Sequence, residues 1–115
     1  LQITQKILLL LIQTKYMTQN INISQIYYIE VINRKIYVHT QYDTIEYYDK
    51  LEQVQKQLDK RFIKCHRSYI INMDYFYQYQ NNIITLQNGQ TVPVSRLRQK
   101  ELLDAILQYM KGEQQ

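Results

Sequence analysis

Residues 26–32 (IYYIEVI) and 36–40 (IYVHT) are β-branched and aromatic runs separated only by Asn33, Arg34 and Lys35. Runs of this kind suit a pleated, half-buried surface. Two of them across so short a polar break predict a hairpin, and its tip carries adjacent cations, Arg34 and Lys35. The pattern recurs along the chain. Residues 44–48 (TIEYY) follow a turn at Tyr42-Asp43, residues 62–64 and 69–72 flank an irregular stretch at 65–68, and residues 75–79 face 83–87 across Gln80-Asn81-Asn82. Asn88-Gly89 predicts a type I′ turn before QTVPV, and Pro93 in that last run points to an edge strand. With twelve Tyr but only two Gly and one Pro, the turns fall to Asn, Asp and Gln.

Two segments have helical character. Asp49 predicts the N-cap of a short helix over residues 50–58, with Leu51, Val54 and Leu58 at i, i+3 and i+7 and Gln55 interrupting the stripe. Glu52 in its first turn suits the helix dipole. Ser95 predicts the cap of a final helix over residues 96–110, with Leu102, Leu103, Ile106, Leu107 and Met110 on one face and Gly112 and a polar tail ending it. Residues 7–12 suit either a buried strand or a short helix, and residues 18–23 alternate weakly. The class is mostly β with two helices. A chain of 115 residues supports one domain, residues 1–115. The longest apolar run is far short of the roughly 20 residues of a membrane-spanning helix, and no signal-peptide pattern is present. The start at Leu1 rather than Met suggests a piece of something longer.

The net charge is +4 with a pI near 9.1, a basic excess that suits nucleic acid or an anionic surface. It is concentrated: Lys60, Arg61, Lys64 and Arg67 fall within eight residues, and Arg96, Arg98 and Lys100 within five. A solvated face is the equally plain account of such runs. Catalysis has no visible parts. His39, His66 and Cys65 make no metal spacing, Cys65 and His66 are sequence neighbours, which rarely gives a nucleophile and its base, and two glycines make no phosphate loop. No enzyme activity, metal or cofactor is expected. Cys65 is the sole cysteine, so no internal disulfide can form, which fits a reducing cytoplasm.

FIKCHRSYIIN (residues 62–72) resembles the F-x-R-x-H-R-S-y-i-v-N signature of the LytTR domain (LytR/AlgR type), the DNA-binding output module of many bacterial response regulators. LQNGQTVPVSRLRQK (86–100) resembles that family's closing hairpin and helix start. ISQIYYIEVINRKIYVHT (23–40) resembles its opening strands, and TIEYYDKLEQVQKQL (44–58) the strand and short helix before the signature. One departure is Lys64 in place of the usual Arg, which keeps the charge but loses the planar fork. The resemblance implies an elongated antiparallel β fold of small packed sheets with a short middle helix and a C-terminal helix. It also implies transcription regulation within a two-component system, with loops entering successive major grooves of double-stranded DNA at promoter direct repeats. The expected setting is cytoplasmic, without membrane insertion. A receiver domain or a membrane-associated partner would complete the regulator, and the domain would be a monomer alone and paired on DNA.

Base contact is expected from Arg34 in the hairpin tip and from Arg67 and Arg96 at the signature positions, since an Arg can donate two parallel bonds to guanine O6 and N7. Lys35, Lys50, Lys64, His66, Ser68, Arg98 and Lys100 are the expected phosphate contacts. His66 has a competing role as a packed histidine holding its loop. Cys65 reads first as a small buried hydrophobe between strands; a redox role is the second reading, because Lys64, His66 and Arg67 would lower its pKa. Two other functions are compatible with the composition: single-stranded nucleic-acid binding on tyrosine platforms, and a protein-interaction module using a sheet edge.

Overall fold

A computed structural model of the chain describes residues 8–113. Among them, β1 (Leu9–Gln13) and β2 (Thr18–Asn22) form a two-stranded antiparallel sheet. The central sheet contains β3 (Ile26–Ile32), β4 (Lys35–Thr40), β5 (Thr44–Tyr48), β6 (Phe62–His66) and β7 (Tyr69–Asn72), ordered β5-β4-β3-β7-β6. A third sheet is built from β8 (Phe76–Gln80), β9 (Ile83–Leu86) and β10 (Thr91–Pro93), with β10 at its edge as Pro93 requires. Helix α1 (Leu51–Gln55) follows β5, and α2 (Gln99–Glu113) closes the chain. The described residues span 47 × 39 × 23 Å, a flattened slab more than an elongated body.

Period-two alternation gives the central sheet two apolar faces. Ile29, Ile36, Val38 and Ile70 pack with Leu10 and Ile12 of β1 and with Leu51 and Val54 of α1. Tyr28, Cys65 and Ile71 point the other way, against Ile84, Leu86 and Val92 of the third sheet and Leu102 and Ile106 of α2. Fully burying one such aliphatic side chain stabilises by about 1.5–3 kcal/mol. Asn72 is a buried polar residue with both ends satisfied: its amide donates to the Ile26 carbonyl (2.9 Å) and its oxygen accepts from the Asp74 N–H (2.9 Å). The Gln57 side chain lies along β1, accepting from Leu11 N–H (3.0 Å) and donating to Leu11 C=O (3.1 Å). It occupies the place a neighbouring strand would take.

Several local expectations need correction. The type I′ turns are at Asn33-Arg34 (φ 50° and 69°) and Asn81-Asn82 (φ 53° and 60°), where both central residues are left-handed. At Asn88-Gly89 only Gly89 is (φ 88°). The Gly89 N–H bonds Leu86 C=O and the Leu86 N–H bonds Gln90 C=O, a three-residue loop in which Gly takes the left-handed place. Helix α1 is shorter than residues 50–58, and its N-cap is Lys50 rather than Asp49; i→i+3 bonds at Gln57 and Leu58 tighten its end. Arg96–Arg98 is a 3₁₀ turn ahead of α2, and the Ser95 side chain makes no capping bond. Leu107 faces solvent, since it lies off the stripe of Leu102 and Ile106, and α2 continues through Gly112. Residues 9–13 resolve the ambiguous first run as strand, while Ile7 lies outside the described residues.

Candidate nucleic-acid interface

The antiparallel order of the central sheet determines where its turns lie. β4 leaves the Asn33-Arg34 turn at the end of β3, and β7 leaves the Arg67-Ser68 turn antiparallel to β3, with Glu30 opposite Tyr69. Both turns therefore stand at one end of the sheet. Backbone bonds fasten them there: Val31 N–H donates to Ser68 C=O (3.0 Å), Asp49 N–H to Arg34 C=O (3.3 Å), and Ser95 N–H to Cys65 C=O (2.9 Å). The last bond brings the 3₁₀ turn carrying Arg96 and Arg98 to the same end.

Two open grooves run between these segments. Arg34, Tyr48, Lys50, Glu52 and Arg67 line one, and His66, Arg67, Ser95, Leu97 and Arg98 line the other. Arg67 belongs to both. Arg34, Arg67 and Arg96 are exposed, and among the described residues none of them makes an ion pair with a carboxylate. By contrast Arg61, from the same charge run, is held by Asp59 (2.9 Å) and Asp74 (3.9 Å). Its role is structural.

The expected phosphate set divides. Lys50, Arg98 and Lys100 are without ion pairs among the described residues. Lys35 is bound to Glu46 (2.8 Å) across β4 and β5 and lies over the rings of Tyr37 and Tyr48; the Glu46 carboxylate raises its pKa. Lys64 reaches from β6 to Glu52 of α1 (3.8 Å), with its side chain 17% exposed. His66 holds its turn: Nδ1 accepts the Ser68 N–H (3.1 Å) and the ring stands edge-on to Tyr69. With Nδ1 the acceptor, a proton on Nε2 remains available to an outside oxygen. Ser68 is half-buried in that turn.

Of the two readings of Cys65, the structure bears out the small buried hydrophobe and not the redox thiol. Cys65 is 0% exposed, and burial pushes its pKa up to about 12, outweighing the opposing pull of Arg98. A thiol so placed is inert at neutral pH. Two site features were not anticipated: Tyr48, 73% exposed in a groove wall, and Leu97, 96% exposed between Arg96 and Arg98. Both had a signal, because Tyr48 alternates with buried Tyr47 and Leu97 falls off the Leu102 and Ile106 stripe. No helix among the described residues is long and apolar enough to cross a membrane, and none of their His, Cys, Asp and Glu side chains group as a metal site would require.

Residues 16–107 match the family of the LytTr DNA-binding domain. The chain belongs to that family. Two curated relatives of this LytTr domain, both named Sensory transduction protein LytT and from Bacillus cereus and Bacillus anthracis, are each 34% identical over 89 residues. Those alignments cover 71% of this chain and 36% of the relatives, so the LytTr domain corresponds to about a third of their length. Its fold is shared with the solved LytTr DNA-binding domain of a methyl-accepting/DNA response regulator from Bacillus cereus, at a TM-score of 0.73 and 24% identity. That match covers 89% of this chain and 98% of the other.

Proposed function

We propose that this LytTr domain, acting as one unit over residues 1–115, binds double-stranded DNA at short direct repeats in promoters and so regulates transcription. Arg34, Arg67 and Arg96 read base edges in the major groove, and Lys50, Arg98, Lys100, His66 and Ser68 grip phosphates. Lys35 and Lys64 join them only by leaving Glu46 and Glu52. The observation that carries this reading is the gathering of three arginine-bearing segments at one end of the central sheet, their arginines Arg34, Arg67 and Arg96 without carboxylate ion pairs among the described residues. In a longer cytoplasmic regulator this domain would follow a receiver domain or answer to a membrane-associated sensor. Alone it would be a monomer, pairing through the spacing of its sites.

Titration of the purified chain against a duplex, the corresponding single strand and a range of salt tests this. Duplex should win the competition. The slope of log K against log salt should be about −3 from Lys50, Arg98 and Lys100 alone, approaching about −5 if Lys35 and Lys64 are recruited. A flat dependence, or preference for the single strand, would overturn the proposal.

A further inference from the structure

Leu97 is 96% exposed, the middle residue of the 3₁₀ turn Arg96–Arg98. Nothing in the described fold covers it, and the backbone bond from Ser95 to Cys65 holds it at the arginine-bearing end of the sheet. It shares an open groove with His66, Arg67 and Arg98. An apolar side chain set between two cations is poorly placed to meet a second copy of itself, because the approach would bring like charges together. It matches a surface that alternates anions with small apolar groups. Duplex DNA offers that combination, with phosphates on both sides and the thymine C5-methyl on the floor of the major groove.

We propose that Leu97 is a specificity-determining residue that packs on a thymine methyl beside the base edge reached by Arg67 or Arg96. This rests on the duplex-binding reading above. The methyl contact supplies what the arginines cannot, since a guanidinium recognises guanine and leaves thymine unmarked. The resulting site would carry a thymine within a base pair or two of an arginine-read guanine.

The experiment begins with a duplex site selected by the whole chain from random sequence. Each thymine in it is then replaced singly by deoxyuridine, which removes only the methyl, and affinity is read by fluorescence anisotropy. For the unaltered protein one or two positions should weaken binding about fourfold, the effect of losing one methyl-sized apolar contact. In Leu97→Ala those same positions should become indifferent to the methyl, and Leu97→Met should restore the sensitivity. Unchanged melting of the variants would confirm that the fold is intact, as expected for a side chain this exposed. If no thymine position is sensitive, or if sensitivity persists in Leu97→Ala, the inference is overturned while the duplex reading stands. If the chain selects no duplex site, the duplex reading itself falls. If Leu97→Ala instead turns a dimer into a monomer in sedimentation, the residue is a seam between copies and the inference is overturned.

Discussion

Arg34 should show opposite effects of one substitution on stability and on DNA affinity. Its φ of 69° lies in the left-handed region, at the second central position of a type I′ turn where Gly is the usual residue. A side chain there costs about 1–2 kcal/mol, whereas Gly costs about 0.5–1 kcal/mol in extra chain entropy. Arg34→Gly should therefore stabilise the fold by about 0.5–1 kcal/mol, a rise in Tm of about 2–4 °C for a domain of this size. The Asp49 bond to the turn uses the Arg34 carbonyl and survives. If Arg34 reads a guanine, the same variant should lose about 1–3 kcal/mol at that base pair, or about 5- to 150-fold. Arg34→Ala separates the two effects, because its Cβ keeps the strain: affinity should fall equally and Tm should not rise. Calorimetry and anisotropy on all three proteins decide. A lower Tm for Arg34→Gly, or a higher one with unchanged base preference, would refute the idea that a strained turn is kept for its guanidinium.

Other substitutions separate recognition from structure. Arg67→Ala and Arg96→Ala should weaken specific binding and relax preference at single positions in a gel-shift series, with melting unchanged within about 0.5 kcal/mol; an equal loss on every sequence would make them phosphate contacts. Arg61→Ala, losing its links to Asp59 and Asp74, should lower Tm and leave base preference intact. Asn72→Ala leaves the Ile26 carbonyl and the Asp74 N–H without partners and should cost about 2–3 kcal/mol in urea unfolding. Cys65 should resist thiol reagents until the protein unfolds. Its pKa is raised from 9.0 to about 12 in the fold, so the stabilisation from a neutral buried thiol is complete below about pH 9 and is lost as pH climbs toward 12. Cys65→Ala should remove that part of the alkaline destabilisation, leaving the parts due to Tyr28, raised to about 12 by burial, and to Tyr47, pushed up further by the same cause.

The strands were legible because alternation and β-branching are local signals: residues 26–32 and 44–48 became β3 and β5 unchanged. The turns were less so. Asn-Gly reads as the type I′ pair, yet the true ones are Asn-Arg and Asn-Asn, because strand register allows only two residues there and the side chains must accept a left-handed backbone. That Arg34 sits in a hairpin tip could be read in advance, but which cations remain free of carboxylates could not. Lys35 and Lys64 are paired with Glu46 and Glu52 by cross-strand and strand-helix neighbours that no sequence spacing shows. At Cys65 the buried-hydrophobe reading held and the redox one did not: sequence places cations beside the thiol, while the fold turns it into the core, where desolvation outweighs them.

Arg67 stands on the wall shared by both grooves. Changes at Arg34 alter one groove, changes at Leu97 the other, and changes at Arg67 alter both. Double mutants joining position 67 to either neighbour should therefore be non-additive, while the pair 34 and 97 should combine independently. A lineage drifting toward new operators could vary the outer two freely, and would have to alter the shared one last.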